Sequence, residues 1–394
     1  MMPPLSPEEE AHSRAVAALI RARVRDRGGW ISFEQFMDLA LYAPALGYYS
    51  AGSVKLGPSG DFVTAPEVSD LFSRCVARQC AQVLAGGGEI MELGAGTGRM
   101  AAVILETLSA AGALPDRYAV LEVSAELAER QRARLARLAP KLRERVVWLD
   151  RLPERPIRGV ILANEVLDAL PCRRFTLSMG RVHELGVAVD PGREDSAQAD
   201  GPPLIEGAAM PDEALMSSCS ALLRELPQSL PDGYCSELCL RVSPWIAGVG
   251  DCLERGVILL FDYGLPRAHY YHPQRMSGTL RCHFRQRVHD DPYINIGVQD
   301  ITAWVDFTRV AEAAVDCGLE VNGFATQAAF LLAMDIEKQV AEVPGPIEHA
   351  RLAGEARRLL LPGEMGEAFK VMALARGLEE QLQGFALQDL RRSL

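Results

Sequence analysis

Three glycines in the stretch Ile90-Met91-Glu92-Leu93-Gly94-Ala95-Gly96-Thr97-Gly98-Arg99 alternate at the end of a short apolar run. Glycine lets the backbone turn sharply and approach a ligand closely, and a helix N-terminus behind such a turn favours polar or anionic groups. An alanine-rich segment with helical spacing, Met100 to Leu108, follows the glycines. Strand, glycine turn and helix in this order open a nucleotide-binding α/β unit. The spacing is G-x-G-x-G, and Arg99 stands where a dinucleotide fingerprint would have its third glycine. A bulky residue there argues against a pyrophosphate packed tightly on the helix.

Carboxylates recur at the ends of the later apolar runs. Glu122 lies near the end of a strand-like run, Arg117 to Val123. An acid this far past a glycine loop can accept from both ribose hydroxyls, or it can be a plain surface carboxylate. Asp150 follows the run Val146 to Leu149 and is a candidate for an adenine amine, although Asp is also a common turn former. Glu92, Gly94, Gly96, Gly98 and Asn164 complete the candidate nucleotide-binding set. A fourth run, Gly159 to Ala163, leads into Asn164-Glu165-Val166-Leu167-Asp168-Ala169-Leu170-Pro171. If that segment turns helical, Glu165 and Asp168 lie on one face and can grip a cation; alternatively one caps the helix and the other is solvated. A further pair, Asp61 and Glu67, sits in Gly60-Asp61-Phe62-Val63-Thr64-Ala65-Pro66-Glu67. Thr64 and Glu67 there also fit a capping box, which makes Glu67 equally a cap and a ligand contact.

The elements that must position these residues can be read in outline. Helices are expected over Pro7 to Arg25, over Ile31 to Tyr42 with Ser32 as cap, and from the Thr64 box through Leu84. Gly86-Gly87-Gly88 marks the entry to the first core strand, and Ser124 caps a helix through Leu138. Cys172 to Arg241 reads as strands and loops, with a turn at Met179-Gly180 and a polar loop from Pro191 to Pro203. Then come a helix over Pro244 to Arg255 and a strand over Val257 to Phe261. Asp300 is expected to cap a helix from Ile301 to Cys317, closed by Gly318. A strand near Glu320 to Phe324, a helix over Glu348 to Leu361 and a last strand over Phe369 to Leu374 complete the chain. This alternation predicts an α/β fold with a Rossmann-like sheet. In linear terms the pieces are an N-terminal helical region over 1–85, a first half of the core over 86–174, an insertion over 175–242, and the rest of the core with substrate elements over 243–394.

Composition narrows the function classes. Formal net charge over 394 residues is −11, from 41 Lys and Arg against 52 Asp and Glu, which disfavours non-specific nucleic-acid binding and would attract a basic substrate, although acidic solubility is the commoner reason for such a charge. Nine cysteines without paired C-x-x-C spacing read as reduced, mostly buried thiols in a cytoplasm-like compartment. The acidic, proline-bearing start, Met1 to Glu10, is unlike a targeting segment, and no apolar run has the length of a membrane span. His269, His272, His283 and His289 cluster in sequence, but no carboxylate or cysteine pattern completes a metal-ligand set around them. They read better as part of a substrate entrance.

The E-L-G-x-G-x-G form resembles the first motif of class I S-adenosylmethionine-dependent methyltransferases. Gly60 to Glu67, Glu92 to Gly98, Asn164 to Pro171, Phe261 to Gly264, Gly278 to Cys282, Asp300 to Phe307 and Pro362 to Gly366 together resemble the family of mitochondrial dysfunction protein A. That resemblance implies the class I methyltransferase fold with added substrate-binding elements, and S-adenosyl-L-methionine as cofactor at Gly94, Gly96, Gly98, Glu122 and Asp150. It further implies a protein substrate methylated on arginine, since animal members are described as dimethylating arginine in a respiratory complex I subunit. A guanidinium is planar and charged, and paired carboxylates can hold it and leave one nitrogen directed at a methyl group. Glu165 and Asp168 are the first candidates for that work, with Asp61 and Glu67 second. Methylation of a small molecule, and a cofactor-binding assembly protein without turnover, are the competing readings.

Overall fold

Strands buried on both faces read as unbroken apolar runs, and the runs around the glycine loop do form one sheet. A computed structural model of the chain describes residues 2–51, 63–190 and 203–394. It divides into two units, each assembled from three stretches of chain: Met1–Phe62, Asp168–Arg241 and Arg267–Trp304 in the first, Val63–Leu167, Val242–Pro266 and Val305–Leu394 in the second.

The second unit holds the glycine loop. Its longer strands, labelled in order, are β1 (Glu89–Leu93), β2 (Tyr118–Leu121), β3 (Val146–Leu149), β4 (Ile157–Asn164), β5 (Leu253–Leu265), β6 (Glu320–Thr326) and β7 (Phe369–Arg376), and the two-residue strand Val305–Asp306 pairs parallel to the end of β5. They lie in the order β3-β2-β1-β4-β5-β7-β6, with β7 antiparallel to both its neighbours and the pairs from β3 to β5 parallel. The direction of winding reverses between β1 and β4, the place where open α/β sheets form a ligand crevice. Register fixes what lines that crevice. Leu93 of β1 pairs with Leu121 of β2 and Ala163 of β4, and Leu121 pairs with Leu149 of β3. Gly94, Glu122, Asp150 and Asn164 therefore each stand one position beyond a single paired row. On the far side Asn164 pairs with Phe261 of β5, which puts Asp262 next in line.

Helices α1 (Asp70–Val83), α2 (Arg99–Ala110) and α3 (Ala125–Leu135) connect and cover this edge. Leu71, Phe72 and Val76 of α1 and Met100, Ile104 and Leu108 of α2 join Ile90, Val120, Leu162 and Leu259 of the strands in one core. Each such side chain contributes about 1.5–3 kcal/mol when fully buried. Phe72 and Phe261 meet edge to face at 5.2 Å, so the end of β5 is anchored to α1.

The first unit has its own sheet. Arg181–Val189 is central, with Trp30–Ser32, Arg173–Ser178 and Leu204–Ala209 paired antiparallel to it, and Cys235–Leu238 beyond Arg173–Ser178. Helices Pro7–Asp26 and Phe33–Tyr42 supply Val16, Ile20, Phe36 and Leu41 to a core shared with Val187, Leu280, Cys282 and Ile301. A small sheet places Arg281–Phe284 between Arg287–His289 and Asp300–Thr302. The expected insertion over 175–242 thus falls in one unit with residues 1–62. Arg173 is buried against Glu184 through a two-point ion pair, with Asp212 at 3.0 Å as a third partner. Among the described residues no disulfide forms, and six of the nine cysteines are buried. His283 and His289 sit on one hairpin, and among the described residues no three His, Cys, Asp or Glu side chains converge as a metal site would require.

Several boundaries differ from expectation, each for a local reason. Asp300 caps no helix: it belongs to a strand, where its Oδ1 accepts from the Tyr49 hydroxyl and the Ile301 N–H. The helix is Phe307–Asp316, capped by Asp306, whose Oδ1 accepts from Thr308 and Arg309 N–H. Thr64 gives no side-chain cap; a four-residue helix, Ala65–Val68, breaks at Ser69, and Ser69 caps α1. Ser32 and Ser124 cap as expected, though Trp30–Ser32 is a strand and α3 stops at Leu135. Val242–Asp251 is helical, but β5 begins at Leu253, earlier than the apolar run suggested. The loop expected over Pro191 to Pro203 lies almost wholly outside the described residues.

Asp306 satisfies two N–H groups at once, so Asp306→Ala is expected to cost about 1–2 kcal/mol of stability. Urea unfolding of the variant measures it, and an unchanged midpoint would show that the cap contributes nothing.

Candidate active site

The loop after β1 is built from backbone that L-residues rarely adopt. Gly94, Gly96 and Gly98 have φ of 66°, 54° and 77°. At Gly98 a Cβ would lie 3.2 Å from the Cα of Gln131, so α3 packs tightly against the loop. At Gly94 it would meet Val166 at 3.5 Å, which puts the turn after β4 beside the loop.

Around the loop, polar side chains hold the carboxylates that the sequence singled out. Glu122 accepts from the Ser124 N–H at 2.9 Å and from the Gln131 carboxamide at 2.8 Å. The same carboxamide donates to the Gly96 carbonyl at 2.9 Å and accepts from the Trp148 indole N–H at 3.1 Å. Asp150 is exposed at the end of β3. Glu67 accepts from the Thr97 hydroxyl of the loop, and its backbone carbonyl accepts from Arg99 Nη1 at 2.8 Å. Arg99 Nε donates to Asp70 Oδ1 at 2.8 Å. The capping-box carboxylate is therefore spent on the glycine loop and not on its own helix. Asp61 lies outside the described residues.

At the end of β4 the segment from Asn164 is a turn and not a helix. Glu165 has φ of 53°, a left-handed conformation that costs a residue with a Cβ about 1 kcal/mol or more. Its N–H donates to the Phe261 carbonyl at 2.8 Å, and the Asn164 amide donates to its Oε1 at 3.0 Å. Asp262, buried at the end of β5, accepts from Leu167 N–H at 3.0 Å and Tyr263 N–H at 2.9 Å, fixing the far side of the turn. The expected helical pairing of Glu165 with Asp168 does not form. Asp168 belongs to the first unit, where it is buried and its carbonyl accepts from Ala303 N–H at 3.0 Å. In that unit Tyr42 donates to the Ala169 carbonyl at 2.9 Å and stacks on Tyr49 with centroids 5.4 Å apart.

Sequence reasoning did not single out Gln131, Thr97, Trp148, Tyr118 or Asp262. Only Asp262 carried a signal, an acid at the end of an apolar run.

The residues present fit an adenosyl cofactor. The loop is bare of Cβ atoms where it turns, a carboxylate ends β2, and the buried Asn164 Oδ1 at the end of β4 has no hydrogen-bond partner. The family described as "Putative S-adenosyl-L-methionine-dependent methyltransferase" matches residues 75–325. The chain belongs to that family. A Burkholderia thailandensis protein solved with S-adenosyl-homocysteine bound is 39% identical, with a TM-score of 0.92 and full coverage of both chains. The mouse protein arginine methyltransferase NDUFAF7 is 29% identical, over 94% of this chain and 87% of its own. The corresponding fruit-fly homologue is 27% identical, over 95% and 88%. The fold is thus that of the family's S-adenosylmethionine-dependent methyltransferases, as the resemblance implied, and the cofactor is S-adenosylmethionine.

Within this family member Glu92 is the acid that precedes the glycines. It is buried in the sheet and accepts from the Tyr118 hydroxyl at 2.6 Å. Burial pushes its carboxyl up to about 7, against the lowering effect of Tyr118. The folded state therefore holds this proton over a pH range in which the unfolded chain releases it. Its stabilising effect is complete below about 4.5 and is lost as pH rises through about 7. Glu92→Gln is expected to flatten the fall in stability across that window, a difference of roughly 1–3 kcal/mol between its ends. Urea midpoints of both chains at several pH values measure this; parallel profiles would show that Glu92 is ionised throughout.

Proposed function

We propose that the chain is a protein arginine N-methyltransferase, with Glu165 as the carboxylate that receives the guanidinium. The observation that carries this reading is the left-handed backbone of Glu165, held at the carboxyl end of β4 beside the glycine loop. A glycine or asparagine would suit that backbone better, and strain of this kind is commonly retained where a side chain must point into a site. The mouse and fruit-fly relatives, whose names specify arginine methylation, add support over almost the full length.

When bound, S-adenosylmethionine supplies a methyl group on a cationic sulfur. Gly94, Gly96 and Gly98 would approach its amino-acid part, Glu122 its ribose, and Asp150 its adenine. Glu165 accepts two guanidinium N–H groups, which aligns one nitrogen and draws positive charge away from it. Its carboxylate then lies within reach of the proton that the methylated nitrogen sheds. Asn164 keeps the carboxylate in place through its amide. Glu67, tied to Thr97, is a second acidic group at the loop. The net charge of −11 favours encounter with a basic protein segment. By resemblance, a subunit of respiratory complex I is the first protein to try.

With methyl-labelled cofactor and extract from cells lacking the gene, the native chain is expected to label a protein on arginine. Glu165→Gln is expected to lower that turnover at least about 100-fold while S-adenosyl-homocysteine affinity, read by calorimetry, stays near native. Native turnover in the variant would remove Glu165 from the mechanism. Label only in small molecules would replace the arginine reading, and binding without any label would favour an assembly role.

A further inference from the structure

We infer that Gln131 is a positioning residue for the cofactor, a single carboxamide that sets the ribose carboxylate and the glycine loop in register with one another. The inference rests on the reading of Glu122 as the ribose acceptor.

Gln131 is fully buried on α3 and touches three successive connections of the sheet. Its Nε2 donates one hydrogen to the Gly96 carbonyl, in the loop after β1, and the other to Glu122 Oε2, at the end of β2. Its Oε1 accepts from Trp148 Nε1, on β3. An indole N–H can only donate, so Trp148 settles which end of the amide is oxygen and turns both N–H groups toward the loop and the carboxylate. Trp148 is itself held under Arg132, whose guanidinium lies 5.3 Å from the ring centroid. The main chain adds a second constraint, since Gly98 packs closely enough on Gln131 that a Cβ there would lie 3.2 Å from the Gln131 Cα.

A neutral donor suits the task. Lysine or arginine at this point would neutralise Glu122 and compete with a ribose for its lone pairs. A carboxamide orients the carboxylate and leaves its negative charge in place. Each oxygen of a carboxylate has two lone pairs, so Glu122 can accept from a diol while the Gln131 and Ser124 N–H groups hold it. Glu122 and the loop are then aligned before the cofactor arrives, which lowers the ordering cost of binding.

The test is a double-mutant cycle on the full chain, with S-adenosyl-homocysteine affinity read by calorimetry and ligand-free unfolding measured alongside. Gln131→Met is expected to weaken binding about tenfold in the native background and less than about threefold when Glu122 is already Gln, because coupled neighbours are not additive. Ligand-free unfolding checks that each variant is folded at the temperature of the titration. Native affinity in Gln131→Met, or an equal loss of affinity in both backgrounds, overturns the inference while leaving a weakened Glu122→Gln to support the ribose reading. A Glu122→Gln chain that binds as tightly as native removes the ribose reading, and the inference with it. Should Gln131→Met fail to fold, Trp148→Phe removes the orienting donor while keeping an aromatic ring beneath Arg132. It is expected to weaken binding about three- to fivefold, and native affinity there also overturns the inference.

Discussion

The active edge of this protein depends on the register of four parallel strands. Leu93, Leu121, Leu149 and Ala163 are paired in one row, and the next residue along each strand is glycine, glutamate, aspartate or asparagine. The apolar residues of β1, β2 and β4 are almost all buried, so a slip of one residue would drive these polar groups into the core and push apolar ones to the edge. Packing energy spread over dozens of side chains thereby holds a handful of polar atoms in line. The chemistry is an end effect of the sheet.

Beyond the row, the carboxylates of the second unit share a style of support. Tyr118 reaches Glu92 with a hydroxyl, Thr97 reaches Glu67 with another, Gln131 reaches Glu122 with an amide, and Asn164 reaches Glu165 the same way. A neutral donor of this kind orients a carboxyl group without adding a countercharge of its own. Arg99, the cation at the start of α2, is directed at Asp70 and the Glu67 carbonyl and lies 3.8 Å from the Glu67 carboxylate. The environment that results is acidic and ordered, suited to a sulfonium and poorly suited to phosphate.

Much of this was legible in the sequence, and the rest was hidden for identifiable reasons. Parallel strands announced themselves as apolar runs, and their terminal acids could be read by position alone. Gln131 could not, because it sits in a helix rich in Ala, Glu and Arg where a glutamine carries no signal. The turn after β4 misled because Glu165 and Asp168 have helical spacing, and nothing in residue type shows that a glutamate will adopt left-handed backbone. At Thr64 the capping-box pattern was present, but Thr97 and Arg99 recruited Glu67 by tertiary contact. Asp300 fitted a cap for a helix from Ile301, but its pairing with His283 holds it in a strand, and Asp306 opens the helix at Phe307.

The interleaving of the two units has a consequence for how the chain must come into being. Among the described residues strand Trp30–Ser32 pairs only with Arg181–Val189, and the core around it needs Leu280 and Ile301 as well. During synthesis the N-terminal helices emerge long before the surfaces that bury them. The second unit is likewise incomplete until Phe369–Arg376 slots in between β5 and β6. Such long-range closure is slow and leaves apolar faces exposed while it waits. Neither unit corresponds to a contiguous fragment that could be cut out and expressed, and a ribosome stalled in mid-chain would hold two unfinished cores at once.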